Sequence, residues 1–167
     1  MLLFCILIVQ SFSRLKAQDY DYSVHANIIY HFTKYIDWPE AKRSGDFIIG
    51  VTGDCPLYGE LIKTVASKTV NGRKIVIKKI SAAAASFNCH ILFICEDESS
   101  EIKKIAARTA ETAVLLVSES EGSALKGSCI NFTIVSDHLK LEINKNNIEQ
   151  RGMKVASELL QLGKIVK

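Results

Sequence analysis

Four cysteines, Cys55, Cys89, Cys95 and Cys129, are the residues beyond the N-terminal segment whose type could do chemistry, and their spacing sorts the options. A C-x-x-C dithiol of the thioredoxin kind does not occur. Cys89 and Cys95 stand at the two ends of one predicted strand, about 20 Å apart by strand rise, so they neither pair nor share a metal. The same separation defeats a zinc site built from Cys55, Cys89, His90 and Cys95. His90 also faces the opposite side of the strand from Cys89, and no metal is expected. An even set of cysteines fits a disulfide if the chain reaches an oxidising compartment. The alternative is four buried free thiols, since cysteine is among the most buried residue types.

Other reactive residue types lack the company that catalysis requires. No G-x-S-x-G elbow, P-loop or G-x-G-x-x-G fingerprint occurs. Gly50-Val51-Thr52-Gly53 faintly echoes a nucleotide loop, but a turn ending a strand explains it. Asp54 in that turn is placed like a phosphoacceptor, yet no acidic pair precedes it to hold magnesium, and an Asx turn or cap accounts for it. His25 and His31 read as exposed or hydrogen-bonded helix residues, and the sequon Asn131-Phe132-Thr133 falls inside a predicted strand. Neither catalytic residue nor cofactor is expected. Trp38 is the aromatic best suited to binding, with a structural plug over the first strand as the competing role.

The elements that would position these groups follow from periodicity. Val24, Ile28, Phe32 and Ile36 make a helical stripe over 23–36, which Trp38-Pro39 stops. Strands are expected at 47–51, 75–80, 89–95 and 113–117, with helices over 57–66 and from Ser99 or Ser100 onward, the latter carrying Ile102, Ile105 and Ala106. Asn71-Gly72 marks a tight turn. Strands at 129–135 and 138–143 form a hairpin about Ser136-Asp137, and a last helix starts at Asn144 or Asn146 and runs through Ile148, Met153, Ala156, Leu159 and Leu160. Strands alternating with helices define an α/β three-layer sandwich, a mainly parallel sheet with an antiparallel edge hairpin near the C-terminus. Its crevice at the carboxyl ends of the strands would be lined by Gly53-Asp54, Cys95-Glu96 and Ser118-Glu119.

The first residues decide the compartment. Leu2–Val9 is an apolar run too short to span a bilayer, followed by a polar stretch and Ala17. This reads as a secretory signal over residues 1–17, leaving a single domain over 18–167. A buried N-terminal strand is the alternative. Cys5 has no lipobox around it. Loss of Arg14 and Lys16 takes the net charge from +3 to about +1, which points to neither nucleic acid nor an anionic membrane. No later stretch is apolar enough to enter a bilayer as a helix. An exported domain also has no routine access to ATP, NADH or acetyl-CoA.

Several short segments, taken in order, carry a resemblance. Tyr30-His31-Phe32-Thr33-Lys34-Tyr35-Ile36-Asp37-Trp38-Pro39 is similar to the F-x-K-[FY]-[VI]-x-W-P opening of the YfiR-like family of periplasmic regulators. The segments IGVTGDCP (49–56), KTVNGR (68–73), CHILFI (89–94), GSCINF (127–132) and LEIN (141–144), with the tail at 154–162, resemble that family's later landmarks. The resemblance implies a non-enzymatic repressor that binds the external sensor part of an inner-membrane diguanylate cyclase, or another membrane sensor, and releases it under envelope or redox stress. It also implies homodimers. Family members often carry a cysteine where this chain has Gly50, facing the one equivalent to Cys89, so Cys89 lacks its usual partner. In a sheet whose second strand flanks the first, with the third on the other side, Cys55 and Cys95 end neighbouring strands on one edge. Cys55–Cys95 is the favoured disulfide, with all-free thiols still open. The candidates for contact with a partner or ligand are Trp38, Asp54, Glu96 and Glu119. A small-ligand-binding module using the same crevice is the second reading.

Overall fold

The computed structural model describes residues 21–167, so the expected signal over 1–17 lies outside the described residues. Asp21 starts the first helix by accepting the Ser23 N–H on its carboxylate at 3.0 Å. That helix, α1 (Tyr22–Tyr35), buries Ala26, Ile29 and Phe32 and leads into β1 (Ile36–Asp37). There follow β2 (Phe47–Thr52), α2 (Leu57–Val65), β3 (Thr69–Val70), β4 (Arg73–Lys79), β5 (Ile91–Ile94), α3 (Ile102–Arg108) and β6 (Leu115–Ser118). The chain closes with β7 (Ile130–Val135), β8 (His138–Asn144), α4 (Lys145–Glu149), β9 (Lys154–Val155), α5 (Ser157–Leu160) and β10 (Lys164–Val166).

Eight of these strands form one sheet in the order β10-β8-β7-β6-β5-β2-β4-β3, and β1 pairs separately with β9. The central run β4-β2-β5-β6 is parallel throughout, in the order expected, with Ile49 opposite Ile91 and Ile91 opposite Leu115. These strands read as unbroken apolar runs because both faces are covered. Every residue from Ile91 to Ile94 and from Leu115 to Val117 is fully buried. The crossovers through α2 and α3 step to opposite sides of the sheet, and right-handed connection then puts the two helices on opposite faces. α1 packs beside α2, and its Phe32 and His25 rings lie 6.2 and 4.5 Å from Phe132. The three layers are therefore present.

Turn chemistry sets the two hairpins. Asn71 and Gly72 (φ 51° and 77°) close β3 onto β4, and Ser136 and Asp137 (φ 50° and 61°) close β7 onto β8. Paired positive φ values give the turn whose twist matches the strands it joins.

Two helices differ from expectation. The helical run after β5 begins at Glu96 as a 3-10 turn and becomes α3 at Ile102, with no side-chain cap from Ser99 or Ser100. Glu96, Asp97 and Glu98 instead place negative charge at the positive end of its dipole. The long C-terminal helix is in fact broken. Asn144 does cap its start, accepting the Asn147 N–H at 3.0 Å, but Gly152 (φ 75°) turns the chain after α4. Val155 then pairs with Ile36, and the apolar residues read as one stripe are divided: Ile148 lies in α4, Leu159 and Leu160 in α5, and Met153 and Ala156 on either side of β9. β10 adds a parallel strand outside the hairpin, placing Ile165 opposite Ile143.

Candidate functional site

The chemically capable groups gather at the carboxyl ends of β2, β5 and β6. Gly53 leaves β2 at φ 92°, and a side chain there would run into Asp97 and Cys95, so only glycine makes this turn. Asp54 donates its backbone N–H to Asp97 Oδ2 at 2.9 Å, and Cys95 donates its own to Thr52 O at 3.0 Å. These bonds hold the ends of β2 and β5 together, bring the Cα atoms of Cys55 and Cys95 to 6.0 Å, and the two sulfurs are joined in a disulfide. The favoured pairing is the one observed.

Glu119, one residue beyond β6, leans over the bridge. Its Oε1 accepts the Glu96 backbone N–H at 3.2 Å and the Tyr22 hydroxyl at 3.2 Å, which ties the start of α1 to this edge. Burial pushes the Glu119 carboxyl up to about 7; the two hydrogen bonds pull it down, and the charges of Glu96 and Asp97 push it further up. Desolvation wins. The carboxylate and both sulfurs lie within 4.8 Å of one another. Because the sulfurs are bonded to each other, this trio offers a metal only one good ligand as it stands. Asp54 itself is exposed and pairs with Lys79 at 3.2 Å, a solvated contact of small energetic weight.

Cys89 and Cys129 are free and buried, and burial drives their thiols up to about 12 and about 11, far from the reactive thiolate. The space a side chain at Gly50 would need is filled by Ile80 and Leu92. Gly50 itself carries no side chain to bridge to Cys89.

Trp38 stands apart, at the amino ends of the strands. Only 6% of it is exposed; its indole N–H donates to His90 O at 3.3 Å and its ring meets Phe47 edge-on at 5.1 Å. Phe47 stacks on His90 at 4.4 Å. His90 Nδ1 accepts the Ile48 N–H at 3.0 Å, which leaves Nε2 to donate to Lys42 O at 2.9 Å. Burial, with the nearby charges of Arg73 and Lys42, lowers the pKa of this imidazole and so disfavours its charged form. The Arg73 guanidinium donates to Lys42 O, Gly45 O, Ser44 O and Asp46 O, strapping the loop before β2. A side chain held on every side offers a partner little.

The fold therefore unites Asp54, Glu96 and Glu119 and separates them from Trp38. Two further contributors escaped the sequence reading. Asp97 belongs to the acidic run after Cys95, which was the available signal; Tyr22 carries none, because its contact spans 97 positions.

A doubly covered, mainly parallel sheet with a disulfide and an acidic cluster at its carboxyl edge defines a small α/β domain. A family model described as YfiR/HmsC-like matches residues 22–164, and the chain belongs to that family, a family of periplasmic regulators in cyclic-di-GMP signalling. The bridge fits an oxidising compartment. A comparison with curated protein sequences finds no match.

Proposed function

We propose that this protein is a periplasmic, non-enzymatic repressor that binds the external sensor part of an inner-membrane signalling protein, a diguanylate cyclase being the favoured partner. Family membership across nearly all of the described residues is the observation that carries this reading. Export follows from the signal expected over residues 1–17. No helix among the described residues is long and apolar enough to cross a membrane, so the contact would be made by the domain's surface. The face assigned to it is the carboxyl edge of the sheet, where Asp54 and Glu96 are exposed and Glu119 half-buried. Its acidity calls for a basic patch on the sensor.

Co-purification from crosslinked envelope membranes tests the proposal. A membrane signalling protein should be recovered with the tagged domain without any added ligand. Recovery of none, or recovery only after a small molecule is supplied, would transfer the case to the ligand-binding reading. The homodimer implied by the family is checked by light scattering across concentrations.

A further inference from the structure

The two sulfurs of the bridge differ in access: Cys55 is half-buried, whereas Cys95 is 1% exposed. Thiol–disulfide exchange is an in-line displacement at sulfur. An incoming thiolate therefore reaches Cys55 Sγ, and Cys95 Sγ must leave into a buried site. A thiolate is poorly solvated there and is repelled by Glu96 and Asp97, so the step needs a proton at that sulfur. Glu119 is the group in place to give it. A carboxyl oxygen lies within 4.8 Å of both sulfurs, a gap that one side-chain rotation or one water closes. Oε1 is taken twice as an acceptor, while Oε2 has no hydrogen bond among the described residues, which leaves it to carry the acid proton.

We propose that the Glu119 carboxyl is the proton donor and acceptor of the Cys55–Cys95 pair, making this bridge exchangeable with external dithiols. In the forward direction the thiolate of a dithiol reductant attacks Cys55 Sγ and the Cys55–Cys95 bond breaks. Cys95 Sγ leaves with the electron pair and takes the proton of Glu119. The products are a mixed disulfide on Cys55, a Cys95 thiol and a Glu119 carboxylate. The reductant's second thiolate then displaces Cys55, so the protein pair is reduced and the reductant becomes its own disulfide. In reverse, with an external disulfide as oxidant, the Glu119 carboxylate removes the Cys95 proton so that the thiolate can re-form the bridge. Glu119 lies near 7, so both of its forms are populated at neutral pH. Besides burial, the groups that set it are Tyr22 from α1 and Glu96 and Asp97 from the turn after β5, with the exposed Asp54–Lys79 pair on the same edge. None of this depends on which membrane protein is bound.

The test is the rate of reduction of the full mature protein by dithiothreitol from about pH 5.5 to about 8.5, divided by the reductant's thiolate fraction. For the parent, that corrected rate should fall about tenfold or more as pH rises through about 7, the scale of lost general-acid assistance. Glu119→Gln should lie flat at the low level, and Glu119→Asp should keep a step. Tyr22→Phe should move the step to higher pH, because its hydroxyl stabilises the carboxylate. A flat profile for the parent, the parent's step surviving in Glu119→Gln, or an unmoved step in Tyr22→Phe would each overturn the proposal. Should Glu119→Gln fail to fold, the parent profile and the Tyr22→Phe displacement still decide it.

Discussion

The two ends of the sheet are built on opposite principles. At the amino end, Trp38, Phe47, His90 and Arg73 are interlocked, and each polar atom named there is answered by backbone. At the carboxyl end, Asp54, Glu96, Asp97 and Glu119 crowd negative charge around a disulfide, and one carboxyl is held far above its ordinary range. Several segments that carry the family resemblance, from Trp38-Pro39 through Arg73 to His90, meet at the first end and hold the fold. Groups able to change state lie at the second. A recurring motif can mark a keystone, and the working face can lie elsewhere.

The interlocked amino end should carry the larger share of stability. Trp38→Ala should cost about 3–5 kcal/mol in urea unfolding, the range for deleting a buried large aromatic, while leaving the disulfide intact. A loss below about 1 kcal/mol would show that the ring is not a keystone. The bridge ranks next. It spans 40 positions, so removing it with Cys55→Ser and Cys95→Ser should cost about 3–4 kcal/mol in the chain-entropy model. In the unfolded, unreduced mature protein two cysteines should react with a thiol reagent, Cys89 and Cys129. Four would contradict the bridge.

A smaller, pH-dependent effect sharpens the contrast. Folding favours the neutral acid of Glu119, so its contribution is complete below about pH 4.5 and is lost as pH rises through about 7. Glu119→Gln keeps the acceptor oxygen and never ionises. It should match the parent at pH 4.5 and exceed it by about 1–3 kcal/mol at pH 8, read from urea midpoints at both pH values. A variant less stable at pH 8 would show that the carboxylate is welcome in the fold. Asp54→Asn should change stability least, by under about 0.5 kcal/mol, since it breaks only an exposed pair with Lys79.

The architecture was legible because it rests on local pattern. Apolar runs at 91–94 and 115–117 could only be doubly covered strands, and Asn71-Gly72 could only be a turn. The C-terminal helix misled because Ile148, Met153 and Leu159 are each buried, and burial alone does not separate one helix from two short ones flanking a strand. Only Gly152 hinted at the break. The site was half legible. Cys55, Cys95, Asp54, Glu96 and Glu119 follow from strand ends, whereas the Tyr22 contact depends on how α1 lies across the sheet, which no local signal encodes.

Photo-crosslinking in intact cells shows whether the carboxyl edge is the working face. A photoreactive side chain at Asp54 or Glu96 should give an adduct that mass spectrometry identifies as the sensor part of a membrane signalling protein. The same probe at Arg43 or Ser44, exposed at the amino end, should give none. Sensor adducts from the amino end alone, or from neither end, would show that the carboxyl edge is not the working face.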